Sequence, residues 1–244
     1  MIIEDVIIPI SGLGTRLYPI TKVIEKTMLP LLNKPVIDYI LDEAIAAGLK
    51  NFYIVINNNQ NNIKRYLKET RKDLNIKYII QENLNGLGGA ILLCKEYIKK
   101  DFCVMLGDEI ILNRNSIQEL ISLYNKEDKN IIGLKKVKEK DKKKYGIVEV
   151  KNNFIVKGIE KPLEKVKGKH AIIGRYLFKQ SIFELLEEDA FNNKEIGLSN
   201  VIFKNLNNDF LGYIIKGKRF DIGNIEDYYK TIKYIKKVSN RDLE

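Results

Sequence analysis

Residues 11 to 30 read SGLGTRLYPITKVIEKTMLP. Gly12 and Gly14 flank Leu13, and Thr15, Arg16, Lys22 and Lys26 follow at once. Glycines permit backbone conformations and close approaches that a side chain blocks. Bare backbone N–H groups beside fixed cations make a site for an anion, above all a phosphate. Two later stretches add complementary types. "QENLNGLGGA" (81–90) sets the amide of Gln81 beside Gly86, and "GDE" (107–109) offers adjacent carboxylates. Taken alone, GLG is a weak signal, and a plain tight turn explains it equally well. The Rossmann fingerprint needs a third glycine further on, and Walker A needs Gly-Lys-Ser/Thr; neither is present.

These residues need elements to hold them. "VIIPI" (6–10) reads as a buried strand that runs straight into the glycines. "PVIDYILDEAIAAG" (35–48) has helical spacing, with Pro35 at its start and Gly48 as a stop. Strands follow at 52–56, 76–80 and 102–106, with helices at 62–70 and 88–98 between them. That alternation predicts an α/β fold: a Rossmann-like unit with a mostly parallel sheet between helices. In such sheets ligands bind beyond the carboxyl ends of the strands. Three of the four strand exits carry the glycines, the amide and the acids.

The second half is strand-rich. "IIGLKKV", "GIVEV", "FIVKGIE" and "AIIGRYLF" read as strands, and "VKNNF" (150–154) as a hairpin turn. Helices are expected at about 181–188 and 199–207, a strand at 210–215 and an amphipathic helix from Ile225 to Val238. The prediction is one domain over 1–244. Its first half covers about 1–112, and a β-rich extension in the second half, about 113–244, holds part of the site.

At 244 residues and 45% hydrophobic, the chain can bury a good core. No apolar run approaches the ~20 residues of a membrane span, and the first residues lack the order of a signal peptide. Cys94 and Cys103 sit in apolar runs and read as buried, reduced thiols of a cytoplasmic protein. The net charge is +10, with lysines densest in "LKKVKEKDKKKYG" (134–146). No aromatic interleaves there before Tyr145, so no base-stacking platform is expected and the run reads as a solvated face.

The longer string "GLGTRLYPITKVIEKTMLPLLNKP" resembles the signature of the sugar-nucleotide pyrophosphorylases, which join a nucleoside triphosphate to a sugar 1-phosphate. Gly12, Gly14, Thr15, Arg16, Pro19, Thr21, Lys26, Leu29, Pro30, Lys34 and Pro35 fit its pattern. "QENLNGLGGA" resembles the base-recognition segment and "LGDEI" the metal-binding Asp segment. "YGIVEV" and "GIEKP" resemble the sugar-contacting pair. "AIIGRYLF", with Gly174, Arg175 and Tyr176, and "FDIGN", with Asp221, look like the bacterial uridylyltransferase versions. Departures are Glu25 for the usual Pro, Thr27 for Glu or Gln, and Gly197, Ser199 and Asn200 for Gln, Thr and Asp. The stretch from Ile56 to Gln81 is short, nearer the thymidylyltransferase length.

The resemblance implies that UTP and glucose 1-phosphate are joined with release of pyrophosphate. It implies Ser11, Gly12, Leu13, Gly14, Thr15, Gln81 and Gly86 for the nucleotide, and Arg16 and Lys26 for catalysis. Gly146, Glu160, Lys161 and Gly174 fall to the sugar phosphate, and Asp108 and Asp221 to Mg²⁺. It also implies a homo-oligomer without nucleic-acid or membrane partners. The nucleophile is a phosphate with a second pKa of about 6, so no protein base is needed, and His170, the one histidine, reads as structural. The alternatives are a thymidylyltransferase, a non-catalytic nucleotide-sugar-binding paralogue and, from charge alone, a nucleic-acid-binding module.

Overall fold

In the computed structural model, which describes residues 2–241, strands and helices alternate from the start. The first half holds β1 (Asp5–Pro9), β2 (Pro30–Leu31), β3 (Lys34–Pro35), α1 (Val36–Ala46), β4 (Asn51–Ile56), α2 (Asn61–Thr70), β5 (Asn75–Ile80), α3 (Gly86–Leu92), β6 (Phe102–Met105) and β7 (Glu109–Leu112). The second half holds α4 (Ser116–Glu127), β8 (Asn130–Lys136), β9 (Gly146–Lys151), β10 (Phe154–Glu160), β11 (His170–Phe178), α5 (Ile182–Asn192), α6 (Leu198–Lys204), β12 (Phe210–Ile214), β13 (Lys218–Asp221) and α7 (Ile225–Arg241).

Side chains alternate across a strand, and β1 shows what that does here. Val6 and Ile8 enter one core, shared with Val36 and Ile40 of α1 and Ile117 of α4. Ile7, between them, enters the other, with Ile91 of α3 and Phe183 of α5. The sheet is thus covered on both faces, which is why β1 and β6 read as continuous apolar runs. No helix among the described residues is long and apolar enough to cross a membrane.

Nine strands form one sheet in the order β5-β4-β1-β6-β11-β8-β12-β10-β9. β5, β4, β1 and β6 are mutually parallel, as expected. β11 runs antiparallel between β6 and β8. Its pairing with β8 slips between Ile172 and Tyr176, and Gly174 lies in the slip. A Cβ on Gly174 would come 2.5 Å from Leu106, so only glycine lets the turn after β6 approach this strand. The expected hairpin joins β9 to β10 through Asn152 and Asn153, both at positive φ.

Three features depart from the sequence reading. The helix expected over 88–98 covers only Gly86–Leu92 and then tightens into turns, such as Cys94 N–H to Ile91 C=O. Gly86, Gly88 and Gly89 weaken it, because glycine is a poor helix former. α4 is an additional helix; Asn115 caps it by accepting from Gln118 N–H at 2.9 Å, and Ile117, Leu120 and Tyr124 give it a buried stripe. β7 and β13 form a separate two-stranded ribbon. The lysine-rich run is not wholly a solvated face either. Lys142 is buried and donates to Val166 C=O, and Lys135 donates to the carbonyls of Ile215 and Gly217. Cys94 and Cys103 are free and buried, and burial pushes both thiols up. His170 is half-buried at the start of β11, and its pKa is lowered by burial and by Lys136 and Lys169.

One ion pair crosses the core. Arg175 has no exposed surface and donates from Nε and Nη2 to Glu43 Oε2 at 3.1 and 2.7 Å. The other oxygen of Glu43 accepts from the hydroxyl and N–H of Ser116 at the start of α4. Glu43→Ala leaves a buried cation unanswered and should cost about 3–5 kcal/mol of stability, measured by urea unfolding. Adding Arg175→Met should return much of that loss. A single-variant cost below about 1 kcal/mol, the scale of an exposed pair, would contradict this account.

Candidate active site

The chain leaves β1 at Ile10 and Ser11, and polar groups from the exit of β4 hold it there. Gln60 Nε2 donates to Ile10 C=O at 2.8 Å and Asn57 Nδ2 to Ser11 C=O at 2.6 Å. The loop then turns at Gly14, φ +64°, a left-handed conformation that favours glycine. Thr21 Oγ1 fastens the turn by donating to Gly14 C=O at 2.8 Å. Around Gly12 a Cβ would meet nothing within 4 Å, so packing does not explain that glycine. Among the described residues, none accepts a hydrogen bond from the backbone N–H groups of Gly12, Leu13, Gly14 or Thr15. Free N–H groups on an exposed turn are an anion receptor.

A cleft of about 340 Å³ opens beside this loop, lined by Ser11, Gly12, Lys26, Gln81, Gly86 and Asp108 among others. Six of the residues expected from sequence therefore meet in one cavity. Ser11 Oγ donates to Gln81 Oε1, and Gln81 Nε2 donates to Asn85 Oδ1 at 3.0 Å and Gly86 C=O at 3.2 Å. Gly86, φ +94°, lies against Ile196, whose backbone bonds to Asn85 and Gly88. The segment before α6 thus closes the cleft, with Glu195 on its wall.

Lys26 Nζ lies 2.6 Å from Asp108 Oδ2, both side chains partly exposed. Its neighbour Glu25 turns the other way and accepts from Asn62 N–H, in the first turn of α2, at 3.1 Å. The carboxylate that replaces the family's usual proline therefore does not compete for Lys26.

Asp108 and Asp221 come together through the β7–β13 ribbon. Asp221 stands opposite Glu109 in the ladder, and Ile222 N–H donates to Asp108 C=O at 2.8 Å. Arg16 reaches the same place: a Cβ on Gly223 would lie 2.6 Å from Asp221 Oδ1 and 3.0 Å from Arg16 Nη2. The two acids titrate in opposite directions. Burial pushes the Asp108 carboxyl up, but Lys26 and Arg16 hold it below its ordinary value. Burial, then the Asp108 and Glu109 charges, push Asp221 up to about 6 against Arg219 and Arg16. A carboxylate crowded by like charge fits a cation. No group of three or more metal-ligating side chains exists among the described residues. Two carboxylates completed by phosphate oxygens and water suit Mg²⁺.

The residues expected at the sugar phosphate lie apart from this cleft. Glu160 and Lys161 line a second, open depression of about 740 Å³. Lys161 Nζ, 3.6 Å from Glu160 Oε1, is largely exposed. Glu160 Oε2 points over Gly146, 2.8 Å from where a Cβ would stand. Gly174 is engaged within the fold: its N–H donates to Glu109 Oε2 and its C=O accepts from Leu106 N–H and Arg175. Arg219 links the two regions, with its guanidinium over the Tyr145 ring at 4.9 Å and paired with Glu109. Among the described residues, the buried side-chain oxygens without a partner are Glu25 Oε2, Thr27 Oγ1 and Glu160 Oε2, all in segments singled out from sequence. Buried oxygens left unpaired are uncommon; here Thr27 lines the first cleft and Glu160 the second depression.

Asn57, Gln60, Glu195 and Arg219 are site residues that the sequence reading passes over. Arg219 had a signal, since it sits two residues before Asp221 on a strand and so shares its face.

A family model described as nucleotidyl transferase matches residues 6–238. UTP–glucose-1-phosphate uridylyltransferase 1 of Staphylococcus saprophyticus is 35% identical, covering 95% of this chain and 92% of its own. The corresponding protein of Mycoplasma pneumoniae is 32% identical, with 95% and 92% covered. A solved UDP-glucose pyrophosphorylase complexed with UDP-glucose superposes with a TM-score of 0.87 at 31% identity, covering 97% of this chain and 99% of that one. With a glycine loop, a lysine and a carboxylate converging on one cleft, and a match running nearly end to end, the chain belongs to the nucleotidyl transferase family.

Proposed function

We propose that this chain is a UTP–glucose-1-phosphate uridylyltransferase, forming UDP-glucose and pyrophosphate. The observation that carries the reading is the single cleft in which the glycine loop, Lys26, Gln81 and Asp108 meet. The names of its relatives support the choice of substrates. A phosphate oxygen of glucose 1-phosphate attacks the α-phosphorus of UTP, and the bond to the bridging oxygen of pyrophosphate breaks. One phosphoanhydride is made as another is lost, so the reaction is reversible.

The difficulty is bringing two polyanions together, and positioning and electrostatics do most of that work. The free N–H groups from Gly12 to Thr15 cradle the triphosphate, and Arg16 holds the leaving pyrophosphate. Lys26 exchanges Asp108 for the α-phosphate. Asp108 and Asp221 would hold Mg²⁺, which neutralises triphosphate oxygens when bound. Gln81 and the backbone near Gly86 read the base. Glu160 and the backbone of Gly146 take sugar hydroxyls, and Lys161 the sugar phosphate. The same reading carries one domain over 1–244, a cytoplasmic location and a homo-oligomer. The bond from α2 to the Glu25 carboxylate, away from Lys26, favours a catalyst over a non-catalytic paralogue.

Purified protein with UTP, glucose 1-phosphate and Mg²⁺ should release pyrophosphate. UTP should outrun dTTP, whose base carries an extra methyl group, worth about 10–200-fold, and whose sugar lacks the 2′-hydroxyl. Release at background level would reject the proposal, and faster turnover of dTTP would transfer it to the thymidylyltransferases.

Asp108→Asn and Asp221→Asn should each depress turnover at least a hundredfold, about 3 kcal/mol, with circular dichroism unchanged. Near-normal kcat in either variant would remove that residue from the cation site.

Charge gathers at the α-phosphate during transfer, so Lys26 matters more in the transition state than in the ground state. Lys26→Ala should lower kcat roughly a hundredfold, or about 3 kcal/mol, with a smaller rise in KM for UTP. Lys161→Ala should raise KM for glucose 1-phosphate as well as lower the rate. Steady-state kinetics separate the two, and an unchanged kcat for Lys26→Ala would assign its charge no catalytic part.

A further inference from the structure

Glu109 follows the expected cation ligand Asp108, yet its carboxylate is fully committed elsewhere. Oε2 accepts from Arg219 Nε at 2.7 Å and Gly174 N–H at 3.0 Å, and Oε1 from Arg219 Nη2 at 2.7 Å. The residue is buried, at 6% exposed. The same Nη2 of Arg219 also donates to Asp221 Oδ2, at a longer 3.4 Å, outside the range of a close charge-assisted bond. Arg219 Nη1 reaches the Tyr145 hydroxyl at 3.3 Å, with the ring beneath the guanidinium. One arginine, 11% exposed, thus stands between two carboxylates, and the two-point grip of Glu109 gives that residue the shorter contacts.

We infer that Glu109 is a positioning residue that keeps Arg219 from closing on Asp221, so that the Asp221 carboxylate stays available to a divalent cation. The inference rests on the reading of Asp108 and Asp221 as the cation site. The geometry explains the choice of types. A guanidinium presents paired N–H groups in a fixed fork, and a carboxylate in register with that fork takes both. Gly174 N–H holds one oxygen of Glu109 as well, which keeps that carboxylate in register with the fork. Take the grip away, and a largely desolvated guanidinium with unmet donors turns to the carboxylate already beside it. Asp221 would then be neutralised by the protein itself.

A double-variant cycle tests this with Tb³⁺, a hard cation whose emission nearby tyrosines sensitise. The chain has 13 tyrosines and no tryptophan, which keeps that signal clean. Tb³⁺ alone is titrated into the full-length protein without substrates, with melting curves and circular dichroism run in parallel. Glu109→Gln should weaken Tb³⁺ binding about tenfold, and Glu109→Asp, which keeps the charge, should recover part of it. Glu109→Gln combined with Arg219→Gln should return affinity to within about threefold of the parent, because the arginine that would occupy Asp221 is gone. If the double variant binds as weakly as Glu109→Gln, Glu109 acts as a ligand or as simple structure, and the inference is overturned. The same holds if Glu109→Gln binds Tb³⁺ as well as the parent. Asp221→Asn separates this failure from that of the underlying reading. Unchanged Tb³⁺ affinity there would remove the cation site itself, and the inference with it.

Discussion

A guanidinium with no exposed surface must be answered by a carboxylate, and the pairing of Arg175 with Glu43 is the contact on which the site's framework rests. Glu43 belongs to α1 and also receives the start of α4. Arg175 belongs to β11 and also donates to the carbonyls of Gly174 and Glu109. The pair therefore fixes a helix on one face, a strand in the middle of the sheet and the acidic turn after β6. Breaking a buried pair costs far more than forming it gains. The arrangement is consequently rigid rather than merely stable, which suits a site whose task is to hold charges at set positions.

Around the site, charge is distributed as a set of exchanges. Lys26 leans on Asp108, Arg219 on Glu109, and Arg16 stands beside Asp221. Asp221 has the longest of these pairings, and burial together with the Asp108 and Glu109 charges raises its proton affinity. An anionic substrate would shift Lys26 and Arg16 outward from these acids. A cation would answer the acids left behind. Charge stays balanced through the exchange, so two polyanions can enter one cleft with little net field opposing them.

Much of this was legible in the sequence because local rules and the final structure agree. The strand-to-glycine exit at 10–14, the alternation of strands and helices through 106, and the Asn152–Asn153 hairpin follow from period, turn chemistry and the strand-exit rule. Gly12, Gln81 and Asp108 meet in one cleft, as that rule implied. What escaped is non-local. The β7–β13 ribbon joins segments over a hundred residues apart, and nothing in either short run announces the other. The second role of Lys142, bonded to Val166, is hidden in a run that composition alone describes as solvent-facing. Glu160 and Lys161 were read as substrate contacts. They stand in their own depression, where Lys161 N–H donates to Tyr145 C=O and the Tyr145 ring carries Arg219, contacts only the folded chain displays.

The antiparallel placement of β11 also sets an order for folding on the ribosome. β5, β4, β1 and β6 can pair as soon as residue 105 has been made, since all their partners lie upstream. β6, apolar and wholly buried in the finished protein, then waits with one edge open until residues 170–178 have been synthesised. An open apolar edge is a template for pairing with another chain. The interval between these two segments is therefore the aggregation-sensitive phase of this protein's life. Slow translation through 106–169 would lengthen it, and the arrival of β11 ends it by covering the edge and seating Arg175 in the same movement.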